Sequence, residues 1–181
     1  MTTALLPRKP PGAAQVNGPP LVFRKPIKRT ARRVVIYGDG GIGKTNLACM
    51  APGPIVSLDL DDSLSILTTD PNCPEYIKNV DILPVTGWKE LRDAIRAPIW
   101  NKYRTLHVDT ITRGEPMAAD YLKLTVPKDG KPVVRFEDYN YDIGPAYVCE
   151  EFLGLLADLD TYHIAQNRNV VLVAHSCTAM A

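Results

Sequence analysis

One stretch constrains this chain more than any other: Gly38-Asp39-Gly40-Gly41-Ile42-Gly43-Lys44-Thr45. It fits the spacing G-x-x-x-x-G-K-[ST]. Arg33-Val34-Val35-Ile36-Tyr37, just before it, is β-branched and aromatic, the composition of a buried strand. Lys44 to Met50, just after it, reads as a helix stopped by Pro52-Gly53-Pro54. A glycine-rich turn between such elements lets backbone amides curl inward, and the helix start adds partial positive charge. The pattern therefore predicts a phosphate cradle. Lys44 would reach β- and γ-phosphates, and the Thr45 hydroxyl would hold Mg²⁺. The candidate nucleotide-binding set is Gly38, Asp39, Gly40, Gly41, Ile42, Gly43, Lys44, Thr45 and Asn46. The alternative, a turn that matches by chance, is weakened by the strand and helix that flank it.

The rest of the body alternates in the same way. Pro54 to Asp59 reads as a second strand, and Asn79 to Val85, with Pro84 inside it, as a third at an edge. Trp88, Leu91 and Ile95 have helical spacing over Trp88 to Arg96, ended by Pro98. Tyr103 to Asp109 is a fourth strand. Residues 113–142 read as irregular and polar, with a turn at Lys128-Asp129-Gly130-Lys131. Pro145 to Gln166 is a long helix with Val148, Phe152, Leu155, Leu156, Leu159 and Tyr162 on one stripe. Asn169 to His175 is a fifth strand, apolar until its last residue. Strands apolar throughout, alternating with helices, predict an α/β fold: a mostly parallel sheet covered on both faces.

A phosphate loop needs acids near it. Leu106-His107-Val108-Asp109 ends a buried strand in Asp109, which would hold Mg²⁺ through water; an Asp that only caps the next turn is the alternative. The second strand ends Leu58-Asp59-Leu60-Asp61-Asp62. Parallel strands deliver their C-terminal ends to one edge, so one of these acids should orient an attacking water. Alternation puts Asp59 and Asp61 on one face, and Asp61, further out, is the choice. The alternative is that Asp61 and Asp62 cap a helix starting near Ser63. His175, at the tip of the fifth strand, would contact the γ-phosphate and report its loss. Lys44, Asp61 and His175 are thus the catalytic candidates. His107 reads as a satisfied core or edge histidine, and His163 as solvated or a favourable helix C-terminal charge. Thr110 and Thr112 read as turn residues. Arg113, a solvated loop residue, is the nearest candidate for an arginine finger.

Net charge +1 hides an asymmetry. Residues 1–38 carry eight Lys or Arg and no acid; beyond them lie the other 13 basic residues and all 20 acidic ones, a net −7. A basic arm on an acidic body suggests a nucleic-acid contact, with a solvated arm as the alternative. Residues 1–30 hold Pro7, Pro10, Pro11, Pro19, Pro20 and Pro26, and residues 1–21 read as a disordered leader to a domain spanning 22–181. Cys49, Cys73, Cys149 and Cys177 lie far apart and read as reduced thiols, neither disulfides nor zinc ligands. Met1-Thr2-Thr3-Ala4-Leu5-Leu6-Pro7 has no signal-peptide pattern, and the longest apolar run is far short of a membrane span. Both point to the cytoplasm and to no membrane partner.

Four elements now stand in order: Gly38 to Thr45, Leu58 to Asp61, Leu106 to Asp109, and Val171 to Ser176. With Trp88-Lys89-Glu90-Leu91, they resemble phage-encoded RecA-like P-loop ATPases, the phage nucleotide-binding proteins that include Sak-type single-strand annealing recombinases. The resemblance covers roughly residues 22–178. It implies Mg²⁺-dependent ATP hydrolysis in the cytoplasm of a bacterial host. The implied partners are single-stranded DNA, a phage recombination or single-strand-binding protein, and further copies of the chain. Where the family has D-x-E at the second strand's end, this chain has Asp59-Leu60-Asp61, one methylene shorter at the second acid. That shortening keeps open an ATP-binding switch with negligible hydrolysis. Ala174-His175 matches the family's A-H strand end. The partition ATPases need a lysine where Asp39 stands, and plant-type resistance ATPases place paired acids where Asp109-Thr110 stands.

In RecA-like sheets the strand with the sensor residue inserts between the phosphate-loop strand and the acid-bearing strand. Here that would put Asn169–His175 between Arg33–Tyr37 and Tyr103–Asp109, leaving Arg33–Tyr37 an open edge. Such domains usually continue with another strand or two, so a truncated form of a longer protein is the expectation.

Overall fold

The structure, a computed structural model, describes residues 30–139 and 143–176. The expected leader, its boundary at residue 21, the chain end and Cys177 fall outside the described residues.

Five strands form one parallel sheet: β1 (Arg33–Gly38), β2 (Ile55–Asp59), β3 (Val80–Pro84), β4 (Thr105–Asp109) and β5 (Asn169–His175), in the order β1-β5-β4-β2-β3. The order agrees with expectation: β5 lies between β1 and β4, and proline-bearing β3 takes one edge. Six α-helices are described: α1 (Lys44–Ala48), α2 (Ser63–Thr69), α3 (Glu75–Lys78), α4 (Trp88–Arg96), α5 (Ile111–Thr125) and α6 (Ile143–Gln166). None is long and apolar enough to cross a membrane.

Strand alternation sorts the core onto two faces. Val56, Leu58, Leu106, Val108, Val170 and Leu172 pack under α4, α5 and α6, against Trp88, Leu91, Ile95, Ala118, Leu155, Leu159 and Tyr162. The intervening residues face α1, α2 and α3: Ile55 and Val80 meet Cys49, Leu64, Cys73 and Ile77, while Val171 and Val173 meet Ala48. This second face also carries Ser57, Asp59, His107 and Asp109, all at most 2% exposed. Strand register sets them in two cross-strand pairs, Ser57 with His107 and Asp59 with Asp109. At the sheet's other end β1 is not the buried strand expected: it has β5 as its strand partner, and Val35 and Tyr37 are about two-thirds exposed.

Several expectations need correction. Residues 113–142 are not irregular throughout, because α5 runs through Pro116 to Thr125. Gly114, Ala118 and Leu122 form a buried stripe four residues apart, and Gly114 admits the Trp88 ring, whose Cζ3 lies 3.2 Å from where a Cβ would stand. An interior proline costs a helix about 3 kcal/mol, and burial of the stripe offsets that cost. The turn at Lys128–Lys131 is present, closed by backbone bonds in both directions between those two residues. Leu156 leaves the buried stripe of α6 and is 47% exposed. His163 is not solvated: it is buried and its Nδ1–H donates to Arg168 O at 2.8 Å. Cys49, Cys73 and Cys149 are free thiols, and burial, its largest cause, pushes Cys49 up to about 12.

Candidate functional site

The loop between β1 and α1 does what its glycines allow. Gly41 and Gly43 sit at φ 76° and 88°, the left-handed region that side chains with a Cβ rarely occupy. That conformation turns the chain back so that Lys44 folds over the loop. Lys44 is 5% exposed, and its Nζ donates to Gly38 O at 2.9 Å and Asp39 O at 2.7 Å. Its third neighbour is His175 Nδ1, 3.1 Å away. An ammonium has donors only, so His175 Nδ1 accepts, and the neutral ring carries its proton on Nε2.

Around this lysine lies a cleft of about 450 Å³ lined by Gly41, Gly43, Thr45, Asn46, Asp61, Ser63, Asp109 and His175, with Ile66 and Leu67 of α2 as its apolar wall. The structure thus brings Lys44, Thr45, Asp61, Asp109 and His175 into one cleft. Gly38 and Asp39 serve the site through their carbonyls, and the Asp39 carboxylate accepts from the Ser176 hydroxyl. Gly40 and Ile42 belong to the loop but not to the cleft wall, and the Ile42 side chain is mainly exposed. Asn46 Oδ1 accepts from the Tyr76 hydroxyl of α3.

Asp109, at the tip of β4, is buried among oxygens. Burial raises its carboxyl above the usual carboxylate range, and Asp61 and Asp59 raise it further; bonds from the Thr45 and Ser63 hydroxyls pull the other way. Ser63 Oγ lies 3.3 Å from Asp109 Oδ2. Asp59 is also raised, first by burial, with Oδ2 near Ser65 N and Oγ at 3.4 and 3.5 Å and Oδ1 without a hydrogen-bond partner. Asp61 and Asp109 line this cleft and Asp59 the neighbouring one; with Asp59 and Asp109 desolvated, they make a region that a cation would neutralise. Among the described residues no three His, Cys, Asp or Glu groups converge to hold a metal by themselves. Thr45 and Asp109, joined by a hydrogen bond, are the residues here that could serve a cation taking few protein ligands, as Mg²⁺ does.

Asp61 splits between its two readings. It lines the cleft, and its Oδ1 also accepts the Ser63 N–H at 3.2 Å, tying it to the start of α2. Asp62 occupies the N-cap position of α2 without a side-chain cap. Arg113 is exposed and belongs to the first turn of α5, not to a loop; it lines a neighbouring cleft with Asp59, Asp61 and Asp62.

Other site residues escaped the sequence reading. Thr110 and Thr112 do more than turn the chain. The Thr110 hydroxyl donates to Val173 O at 3.0 Å, and Thr112 Oγ1 accepts the His175 N–H at 2.8 Å. Together with Ser176 N–H donating to Gly38 O at 3.0 Å, they fasten the β5 tip between β4 and β1, and so hold His175 against Lys44. The His107 reading also needs correction. Ser57 Oγ meets its Nδ1 at 3.1 Å, but Nε2 has no hydrogen-bond partner. Burial pushes its pKa down to about 4, so the 3.7 Å approach of Nε2 to Asp109 Oδ2 is not an ion pair. A run of hydroxyl and imidazole residues at alternate positions in otherwise apolar strands was the signal available for Ser57 and His107.

No curated protein matches the chain. A family model described as an AAA domain matches residues 30–180, which takes in every strand and helix that builds the cleft. The phosphate loop, the parallel sheet and this match agree, and the chain belongs to the AAA domain family of P-loop NTPases.

Proposed function

We propose that the chain binds ATP with Mg²⁺ and hydrolyses it, and that it works on or with single-stranded DNA in phage recombination or annealing. One observation carries the nucleotide reading: Lys44, Thr45, Asp61, Asp109 and His175, drawn from four separate segments, line one cleft beside the phosphate loop. In this reading the amides around Gly41 and Gly43 and the Lys44 ammonium hold the β- and γ-phosphates. Mg²⁺, when bound, supplies neutralising charge to the phosphate oxygens, with Thr45 as a direct ligand and Asp109 acting through water. Asp61 orients the attacking water. His175 already touches Lys44, so loss of the γ-phosphate would change the partners of both and pass through Thr112 to α5.

The DNA part rests on the eight cations of residues 1–38 and on the resemblance to phage annealing ATPases. A phage recombination or single-strand-binding protein and further copies of this chain are the proposed protein partners, in a host cytoplasm. A second reading, an ATP switch with negligible turnover, draws on the Asp61 carboxylate being engaged by Ser63 N–H.

Phosphate release measured with and without single-stranded DNA separates the two. Release that DNA stimulates supports the first reading; stoichiometric ATP binding without release under either condition establishes the switch. Neutralising Lys25, Lys28, Arg29 and Arg32 should flatten the salt dependence of DNA binding, since each neutralised phosphate releases counterions. An unchanged slope would make the basic arm a solvated tail.

A further inference from the structure

The row of polar side chains under the cleft has two members whose place the phosphate chemistry leaves unexplained. His107 and Ser57 are fully buried in central strands, where an apolar pair would avoid the desolvation penalty. Their register puts them one step below Asp59 and Asp109 on the same sheet face. A neutral imidazole has one proton to place. On Nδ1, it would leave the Nε2 lone pair facing the Asp109 carboxylate, 3.7 Å away. On Nε2, it lets the Ser57 hydroxyl donate to Nδ1 and aims an N–H at Asp109 Oδ2, with no repulsive contact.

We propose that His107 is a positioning residue for Asp109: its Nε2–H, fixed in that tautomer by Ser57, holds Oδ2 and orients the carboxylate toward the metal's water. The proposal rests on reading Asp109 as the acid that serves Mg²⁺. Oδ2 then has the Ser63 hydroxyl at 3.3 Å and His107 Nε2 at 3.7 Å, beside the bond that the carboxylate takes from the Thr45 hydroxyl. Losing the partner of a directly bound ligand typically costs 10- to 100-fold in metal affinity, and because Asp109 acts through water the low end of that range applies.

Two amides dissect the ring. In His107→Asn the side-chain nitrogen reaches the Nδ1 place and nothing reaches Nε2; in His107→Gln the amide extends to the Nε2 place. The assay is Mn²⁺ affinity of the full chain saturated with a non-hydrolysable ATP analogue, beside affinity for the same analogue without metal. His107→Asn should weaken Mn²⁺ about tenfold with metal-free affinity unchanged, and His107→Gln should stay within about threefold of wild type. Equal losses in both variants, or none in His107→Asn, overturn the proposal while leaving the nucleotide site intact. Wild type with no metal-linked nucleotide affinity would overturn the phosphate-site reading and this one together. Ring ¹⁵N spectra of the wild-type chain test the tautomer without any substitution. A neutral ring protonated on Nε2 is expected, and protonation on Nδ1 would overturn the proposal.

Discussion

Lys44→Ala tests the core of the site. In the structure the ammonium is nearly enclosed and its three N–H groups are already engaged, by Gly38 O at 2.9 Å, Asp39 O at 2.7 Å and His175 Nδ1 at 3.1 Å. Phosphate oxygens must therefore displace two of these partners, and the longest, His175, is the first to give way. The gain is the difference between a bond in which both partners are charged and one in which only the lysine is. With hydrogen bonds to charged groups worth about 1.5–3 kcal/mol, exchanging two of them for phosphate contacts leaves a net of about 2–3 kcal/mol. That corresponds to a loss of roughly 30- to 150-fold in affinity when the ammonium is removed. Titration calorimetry with Mg²⁺ and a non-hydrolysable ATP analogue reads this directly. Arg113→Ala is the control: it removes an exposed cation from the neighbouring cleft and should change affinity little. Affinity within about twofold of wild type in Lys44→Ala, or an equal fall in Arg113→Ala, would remove Lys44 from the phosphate site.

Asp61→Asn should spare nucleotide binding and slow phosphate release, because the amide keeps the shape of the side chain and loses its charge; unchanged release, with loss in Asp59→Asn or Asp62→Asn, would assign the water to another acid. Asp59 is raised above its unfolded value, chiefly by burial, so the fold binds that proton more tightly than the unfolded chain does. Stability from this group is thus complete below the unfolded value of about 3.9 and is lost as pH rises through the folded value. Asp59→Asn should raise the thermal midpoint at pH 7 and flatten its fall above about pH 4; a lower midpoint with the same pH profile would contradict the sign. Thiol labelling in a Cys177→Ser background should modify exposed Cys149 quickly and leave Cys49, held near 12 by burial, unmodified until the chain unfolds. Equal rates for the two would contradict the burial.

The phosphate loop was legible because its requirements are local. Left-handed φ at Gly41 and Gly43, a β-branched strand before them and a lysine after them are written in adjacent residues. The alternation of strands and helices was legible for the same reason, and it delivered Asp109 and His175 to the correct edge of the sheet. The helix α5 was not. Arg113-Gly114-Glu115-Pro116 reads locally as a break, and the stripe of Gly114, Ala118 and Leu122 becomes worth its proline only once Trp88 packs against it.

Adjacent residues dictate the five strands, the cradle and which residues could serve it, since backbone stereochemistry and hydrophobic period act over a few residues. Which of those residues meet is set by packing. That His175 touches Lys44, that Thr112 holds His175 in place, and that Ser57 and His107 lie directly beneath Asp59 and Asp109 all depend on strand order and register. Order and register come from burying two faces of one sheet at once, a long-range free energy that no short window of the chain contains.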